Sequence, residues 1–424
     1  MITSSVFVHL QRPDNGEWVT VGRYTLTRAE KRIERSIGKF IYAPSYLQAG
    51  YPWVIDPINL PRLDRAVVYT APRYDGLTDV LRDIGPDAWG KLLIQREHHL
   101  PATAHEFEYL INASNADRWG ALTISTTRNP NPALASSPKL AKIEELLEEL
   151  HLMAGQKAPK YPALRKRLIK TPSLGGARPK ATVQDGDDYW LVKPTIATDV
   201  SNTALLEYAT LKWGARAQLN MAECRLYQDH ARSAVLVKRF DRTGAQRHMV
   251  ISGASLLETE YPASRHYGGQ NQARWSYPLL AQALRRIGAP KSDLNELFGR
   301  MLFNALCGND DDHPRNHAAI WNQQERKWRL APAFDVVPNI SDMPRRLAMQ
   351  LSANRWDIEQ EALLADWRYF GFESIAQAEQ CRNQKIEQIA FAAKDLEADG
   401  VPQDQAQLLR LHMGKAIKWL LEKR

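Results

Sequence analysis

The sequence predicts an α+β protein made of a β-rich N-terminal domain at 1–130 and a larger part at 131–424, itself a small β-rich lobe (about 139–245) followed by a large helical lobe (about 246–424). Three observations predict this. Residues 6–70 read as short runs of strand formers separated by turn material. A polar, proline-broken connection follows at Arg128–Pro138, where few contacts are expected to cross. Beyond Tyr277 the text is mostly helical, interrupted by one stretch, Asn304–Pro338, in which polar side chains stand between two apolar runs. At 424 residues the chain exceeds the roughly 250–300 at which a single core stops growing, so more than one compact unit is expected.

In chain order, the strands are VFVHL (Val6–Leu10), WVTVGRYTL (Trp18–Leu26), KFIYA (Lys39–Ala43) and AVVYTA (Ala66–Ala71), with Pro13-Asp14-Asn15-Gly16 as a turn. In DIGPDAWGKLLIQRE (Asp83–Glu97), Asp87 is placed to cap a helix that carries Trp89, Leu92 and Leu93 on one face, which by itself is only a packing helix. A second helix follows at His105–Ala113. Lys139–Met153 repeats apolar residues at helical spacing (Leu140, Ile143, Leu146, Leu147, Leu150, Met153), with Gly155 to end it. Thr171–Val183, the turn Asp185-Gly186-Asp187 and Tyr189–Pro194 read as a hairpin opened by a glycine-rich loop. Glu207–Ala217 is helical, Arg225–Gln228 and Ala234–Arg242 are strands, and Glu359–Arg424 adds amphipathic helices.

Composition narrows the function classes. No run approaches the ~18 consecutive apolar residues of a membrane helix, and the first residues lack a charged segment followed by an apolar one, so a cytoplasmic protein without membrane contact is expected. Cys224, Cys307 and Cys381 are too scattered for a disulfide framework or a paired-cysteine metal site. The formal charge of +8 permits a polyanionic partner but does not name one.

The chemistry sits in three places. The Gly175-Gly176 loop could bring backbone N–H groups close to a phosphate, with Lys180 adding a charge, although taken alone it reads better as a plain glycine hairpin turn. It is neither a Walker A loop nor a dinucleotide fingerprint. Lys193 stands in the apolar strand WLVKP, where an ammonium group is costly unless it meets an anion or points to water. The order is the informative part: glycine-rich loop, hairpin, strand lysine and a helix with Glu207 is the order in which protein kinases present their phosphate clamp.

Asn304–Pro338 supplies the other half. Phosphoryl transfer needs a carboxylate to orient the attacking hydroxyl, and an amide oxygen with a second carboxylate for Mg²⁺. Asp311 lies five residues before Asn316, and Asp335 nineteen beyond that in an apolar phrase read as a strand pair. A calcium loop fails, since no register gives Gly at position 6 and Glu at position 12. A solvated acidic turn remains the plain alternative for Asp310, Asp311 and Asp312. His313 reads as a residue hydrogen-bonded within the loop to hold Asp311 in place, or as a ligand or base.

SLGGARPKA, WLVKP, VKRFDR, NDDDHPRNH and LAPAFDVVP, in that order behind a β-rich unit carrying GPDAWG, resemble the HipA-type serine/threonine protein kinases of bacterial toxin–antitoxin modules. The resemblance spans nearly the whole chain and implies a protein-kinase-like bilobal fold. It implies that Asp311 positions the substrate hydroxyl with His313 beside it, that Asn316 and Asp335 hold Mg²⁺, and that Lys193 contacts the phosphates of ATP. Gly175, Gly176, Ala177 and Lys180 would form the phosphate loop, Lys238 and Phe240 the hinge that receives adenine, and Ser173 the autophosphorylation site. Expected partners are a translation component such as an aminoacyl-tRNA synthetase as substrate, and a small helix-turn-helix antitoxin through which DNA would be met indirectly. The chain departs from the pattern in its three consecutive aspartates, in Lys238 where an acidic residue can occur, and in Pro179, which stiffens the loop. Rival readings are a small-molecule or lipid kinase and a catalytically silent regulator that binds nucleic acid.

Overall fold

The computed structural model describes residues 3–28, 35–62, 67–130, 137–170, 176, 178–230, 232–260 and 273–422. Its strands of three or more residues are β1 (Thr3–Gln11), β2 (Trp18–Thr27), β3 (Ile37–Tyr42), β4 (Val68–Ala71), β5 (Leu122–Ser125), β6 (Ala181–Asp185), β7 (Asp188–Pro194), β8 (Cys224–Gln228), β9 (Ser233–Lys238), β10 (Val250–Ser252), β11 (Ala318–Asn322) and β12 (Lys327–Leu330). Its longer helices are α1 (Ala88–Glu97), α2 (Glu106–Asn112), α3 (Ile143–Ala154), α4 (Pro162–Lys170), α5 (Thr203–Arg216), α6 (Tyr277–Arg286), α7 (Lys291–Cys307), α8 (Ile375–Ala392) and α9 (Gln403–Leu421). They divide into two compact units. The first holds Met1–Val192, Arg239–Glu260 and Ile320–Arg326; the second holds Lys193–Lys238, Tyr261–Ala319 and Lys327–Arg424. No helix among the described residues is long and apolar enough to cross a membrane.

In the first unit an antiparallel sheet runs β4-β3-β2-β1-β5. Alternation along β1 puts Val6, Val8 and Leu10 inside, and Val21, Tyr24 and Leu26 of β2 join them. The β1–β2 register shifts between Val8 and His9. Beside that bulge β3 comes so close that a Cβ on Gly22 would lie 2.4 Å from the Ile41 carbonyl oxygen, so only glycine fits. His9 is buried between Thr20 Oγ1 (3.0 Å) and Ser125 Oγ (2.8 Å). The four expected strands are all present, and β5, unannounced in the sequence, completes the sheet.

Helix α1 starts where the text places it: the Asp87 carboxylate accepts the Gly90 N–H at 2.8 Å, and Trp89 and Leu93 turn inward. Helix α2 opens on a capping box from His105 and Glu108. Helix α3 begins at Ile143, later than the periodicity suggested, because Leu140–Lys142 form a 3₁₀ turn. Strands β6 and β7 pair antiparallel around Gly186. Within the same unit a buried polar network joins Asp117 and Arg118 to the stretch after β9: Arg239 donates to both oxygens of Asp241 (2.9 and 2.8 Å), to Asp117 and to the Arg118 carbonyl (3.2 Å). The Gly120 N–H donates to Asp241 Oδ2 at 2.8 Å. Asp241 is thereby held below the usual carboxylate range: burial alone would raise it, but the guanidiniums and the Gly120 N–H outweigh that.

The second unit is mainly helical around α7, whose Leu297, Phe298, Met301, Leu302, Phe303 and Leu306 are all buried. Helix α5 packs with α8, and the Trp213 indole N–H donates to the Ile389 carbonyl at 2.8 Å. Asp293 near the start of α7 receives Arg329 and the Leu330 N–H (2.7 Å), which fixes the end of β12. Arg300 donates to the Ala331 carbonyl (2.8 Å) and the Asn220 carbonyl (3.0 Å), and Ala333 and Asn220–Ala222 exchange backbone hydrogen bonds of 2.8 Å. The segment that follows β12 is thus pinned on both sides before it reaches Asp335.

Candidate active site

Helix α7 stops at Gly308, which adopts φ +80°, a left-handed conformation that suits glycine and caps the helix; the Gly308 and Asn309 N–H groups both return to the Asn304 carbonyl. The chain then turns sharply into Asp310–Asn316, closed by a 3₁₀ turn at Pro314–Asn316.

The spacing to Asn316 singled out Asp311 and left Asp310 and Asp312 without a role; the three aspartates take three different situations. Asp310 accepts the Asn339 side-chain N–H at 3.1 Å, while the Asn339 backbone N–H reaches the Gly308 carbonyl at 2.9 Å, so Asp310 fastens the loop to the chain beyond Asp335. Asp312 is buried; its Oδ2 accepts from His317 Nε2 at 2.8 Å and from the Tyr277 hydroxyl, and that hydroxyl in turn accepts from Asn304 Nδ2 at 3.1 Å. Burial first, and the Asp312 charge second, raise the Tyr277 phenol well above its ordinary value, which favours the neutral hydroxyl that donates to Asp312 and accepts from Asn304. Asp311 alone of the three is exposed. Partial burial raises its carboxyl, His313 opposes that, and the charges of Asp335, Asp310 and Asp312 add to it.

Asn316 is buried and its Nδ2 donates to the Asp311 carbonyl at 3.2 Å. That bond orients the amide and leaves Oδ1 as the atom with which Asn316 can meet a cation. His313 bonds through its backbone, its N–H reaching the Asp311 carbonyl at 2.9 Å. Its ring stands edge-on to Trp275, and its buried Nδ1 has no hydrogen-bond partner among the described residues. The imidazole brace expected at His313 is therefore made by His317, and it grips Asp312 rather than Asp311.

Lys193 lies on the face of β7 opposite Trp190, Val192 and Pro194. Its Nζ meets Glu207 Oε1 of α5 at 2.7 Å and Asp335 Oδ1 at 2.6 Å. Burial alone would lower the ammonium; the charges of Asp335 and Glu207 and the hydrogen bonds they accept outweigh it and raise it above its ordinary value. The cationic form is secure. Asp335 lies beyond β12, outside the strand in which it was expected, with φ +59°. A side-chain-bearing residue adopts that conformation at some cost, and Asp and Asn pay least. The structure thus joins Lys193 directly to Asp335, and the charge of Asp335 is felt at Asp311.

The remaining expected residues take the following places. Lys238 ends β9; its N–H donates to the Glu223 carbonyl at 2.8 Å and its Nζ stands 3.3 Å from Glu223 Oε2, so that N–H is spent within the sheet. Phe240 belongs to the first unit and stands edge-on to Trp119. Lys180, also in the first unit, is buried against Asp87 at 3.1 Å rather than presented to solvent. Gly176 adopts φ +85°. Gly175, Ala177 and Ser173 lie outside the described residues. Tyr277, Asn304, His317 and Asn339 were not singled out from the sequence. The signal available was two histidines flanking Asn316 and an asparagine in the last turn of α7.

A family model described as the HipA-like C-terminal domain matches residues 172–398. Among curated proteins, the chain is 25% identical over 224 residues to a Haemophilus influenzae protein named "Putative kinase", covering 46% of this chain and 64% of that one. It is 23% identical over 190 residues to a Sinorhizobium fredii protein named "Putative kinase Y4mE", covering 43% and 44%. The chain thus spans less than two thirds of the length of either relative. Among solved structures, a HipA from Shewanella oneidensis MR-1, determined with HipB and operator DNA, matches over 98% of this chain and 96% of its own, with a TM-score of 0.64 and 17% identity. That likeness establishes the mixed α/β, kinase-like fold. With residues 172–398, more than half of its length, matched by the family model, the chain belongs to the HipA-like C-terminal domain family.

Proposed function

We propose that the chain is an ATP-dependent serine/threonine protein kinase of HipA type. The observation that carries this reading is Lys193 held between Glu207 and Asp335 at 2.7 and 2.6 Å. A lysine fixed by a helix glutamate, a metal-binding aspartate and a separate aspartate before an asparagine are the parts phosphoryl transfer uses. The donor set fits Mg²⁺, which takes oxygen ligands and is usually held by one or two carboxylates together with phosphate oxygens. Asn316 Oδ1 and Asp335 would hold it, and when bound it supplies charge neutralisation on the phosphates.

The chain's own residues do the rest. Lys193, kept cationic, pairs with the phosphates in place of one of its carboxylates. Asp311 accepts the proton of the substrate hydroxyl as its oxygen forms a bond to the γ-phosphorus, while the bond from that phosphorus to the β,γ-bridging oxygen breaks and ADP leaves. Asn316 fixes the Asp311 backbone, and the Asp312–His317–Tyr277 network holds the loop from behind. The expected substrate is a Ser or Thr of a translation component such as an aminoacyl-tRNA synthetase, with Ser173 as the site of autophosphorylation. The expected restraint is a small helix-turn-helix antitoxin that would carry any DNA contact, in the cytoplasm.

The test is transfer of labelled phosphate from ATP, with the product peptides mapped. Wild type should label Ser173 in the absence of other substrate, and Asp311→Asn should reduce labelling by at least about a thousandfold, the scale expected when a positioned base is lost together with its orienting role. Equal labelling by the two proteins would remove catalysis from this loop.

A further inference from the structure

The five-stranded sheet of the first unit ends at β4, and the register sets out the side chains of its exposed face in rows. One row crosses Arg23, Ile41 and Val68, and the next crosses Thr25, Lys39 and Thr70. Arg23, Lys39 and Thr70 are exposed, as are Val68 at 54% and Ile37, on the same face, at 49%. Asp and Glu make up 48 of the chain's 424 residues, yet none occurs in any strand of this sheet. The side chains of Arg23 and Lys39 have no ion-pair partner among the described residues. The backbone phase is fixed as well. One step beyond the Gly22–Tyr42 pair, the Ala43 N–H donates to the Val21 carbonyl at 2.8 Å. Hydrogen-bonded pairs alternate along an antiparallel ladder. Ile37, Lys39 and Ile41 therefore bond to β2, while Gly38 and Phe40 bond to Ala71 and Tyr69 of β4. Val68 and Thr70 are left directing their N–H and C=O groups away from the sheet, and no backbone hydrogen bond reaches them there from another described residue. Proteins commonly blunt such an edge with lysine, proline or a bulge; β4 has none of these within its span.

We propose that β4 is a docking edge for an extended, acidic segment of a partner protein, which adds antiparallel as a sixth strand. Its backbone completes the hydrogen bonds of Val68 and Thr70. The residue opposite Val68 continues an apolar row through Ile41 and suits a β-branched side chain. The residue opposite Thr70 lies two strand spacings from Lys39, about 10 Å, a gap that a lysine and a glutamate close by reaching toward each other across the threonine. Arg23, one strand further in, contributes field rather than contact. The unpaired positive charge argues against a second copy of the same face, whose cations would meet each other. A nucleic acid would answer the charge but leave the free backbone groups unused. The inference is independent of the kinase reading, since it draws on no residue of that site.

The test is fluorescence anisotropy on the full-length chain with a labelled peptide probe in which glutamate and valine alternate on one face and threonine fills the other. A second probe has lysine for glutamate. Two more copies of the first are N-methylated, one on the glutamate and valine amides, which face β4 in antiparallel pairing, and one on the threonine amides, which face away. The expected result is micromolar binding of the glutamate probe, at least about tenfold tighter than the lysine probe at low salt. Methylation of the glutamate and valine amides should abolish binding, and methylation of the threonine amides should be tolerated. Lys39→Glu should reverse the preference between the glutamate and lysine probes. Thr70→Pro removes an outward N–H without touching the ladder, and should weaken the glutamate probe about tenfold at an unchanged thermal midpoint; if that variant melts early, the methylated probes decide on the unaltered protein. No binding of the glutamate probe, equal binding of the glutamate and lysine probes, or retained binding after methylation of the glutamate and valine amides overturns the proposal. So does tighter binding of a single-stranded oligothymidylate that Thr70→Pro leaves unchanged, which assigns the face to nucleic acid. A dimer in sedimentation that Thr70→Pro converts to monomer overturns it too, because the edge is then occupied by a second copy of the chain.

Discussion

Asp311 and Asp312 are neighbours in sequence, and their replacement should have opposite signatures. Asp312 is 2% exposed and its Oδ2 receives two buried donors, His317 Nε2 at 2.8 Å and the Tyr277 hydroxyl. Asp312→Ala removes both bonds and leaves two buried polar groups without an acceptor. Hydrogen bonds to a charged group are worth about 1.5–3 kcal/mol each, so the two lost bonds together are worth roughly 3–6 kcal/mol. Asp312→Asn should cost less, roughly half, because the amide oxygen can still accept from one donor. A loss of about 4 kcal/mol is a large part of an ordinary folding stability and should lower the midpoint of thermal unfolding by roughly 10 °C. Asp311→Ala removes an exposed side chain and should change stability by no more than about 0.5 kcal/mol, while abolishing phosphate transfer. The assay is thermal unfolding followed by circular dichroism for the three variants alongside wild type, with phosphate transfer measured below every midpoint. If Asp312→Ala melts with Asp311→Ala, the buried network does not hold the loop and the division of roles is wrong.

Two further outcomes follow from the first unit. Burial lowers His9 from 6.5 to about 4, with a partial opposing contribution from the Thr127 backbone. A folded value below the unfolded one means that its stabilisation is present above pH 6.5 and is lost as pH falls toward 4, by roughly 3 kcal/mol at most; His9→Gln should flatten that part of the denaturant-midpoint-against-pH curve, and an unchanged slope would show that another group titrates there. Arg239→Met should cost about 3–5 kcal/mol, since it strands Asp117 and Asp241 in the interior. Adding Asp117→Asn should recover part of the loss in the same urea titration, and a neutral single variant would contradict the network.

Much of the architecture was readable because its signals are local. Alternation marked β1 to β4, and Asp87 marked the start of α1 through its own short-range capping bond. Strand β5 was not readable: at four residues it is shorter than the repeat needed to show a period, and it exists because β1 offers it an edge. Helix α5 begins at Thr203 rather than Glu207 because Asn202 caps it, a signal passed over in favour of the later apolar periodicity. At the site, Lys193 and Asp335 were legible as chemistry because an ionised group in apolar text demands a partner, and each supplied the other's. Their linkage to Glu207 was visible only as order along the chain. What sequence could not convey was which of three adjacent aspartates faces inward, since that depends on where the chain turns after Gly308, and which of two histidines reaches back. The engagement of Lys180 with Asp87 lay beyond reach for the same reason: nothing within 90 residues of either announces it.

The left-handed backbone at Asp335 bears on how such a site can decay. A residue with φ +59° is tolerated mainly as Gly, Asn or Asp, so most substitutions there disturb the chain's path as well as its charge. Asp335→Asn is the exception, because it keeps the turn, removes the carboxylate and leaves Lys193 still paired with Glu207. A lineage losing its chemistry while keeping its fold has one inexpensive route at this position, and a single base change suffices to take it. The same substitution is accordingly the cleanest way to obtain a silent protein whose surface, and whatever it docks, is left as it was.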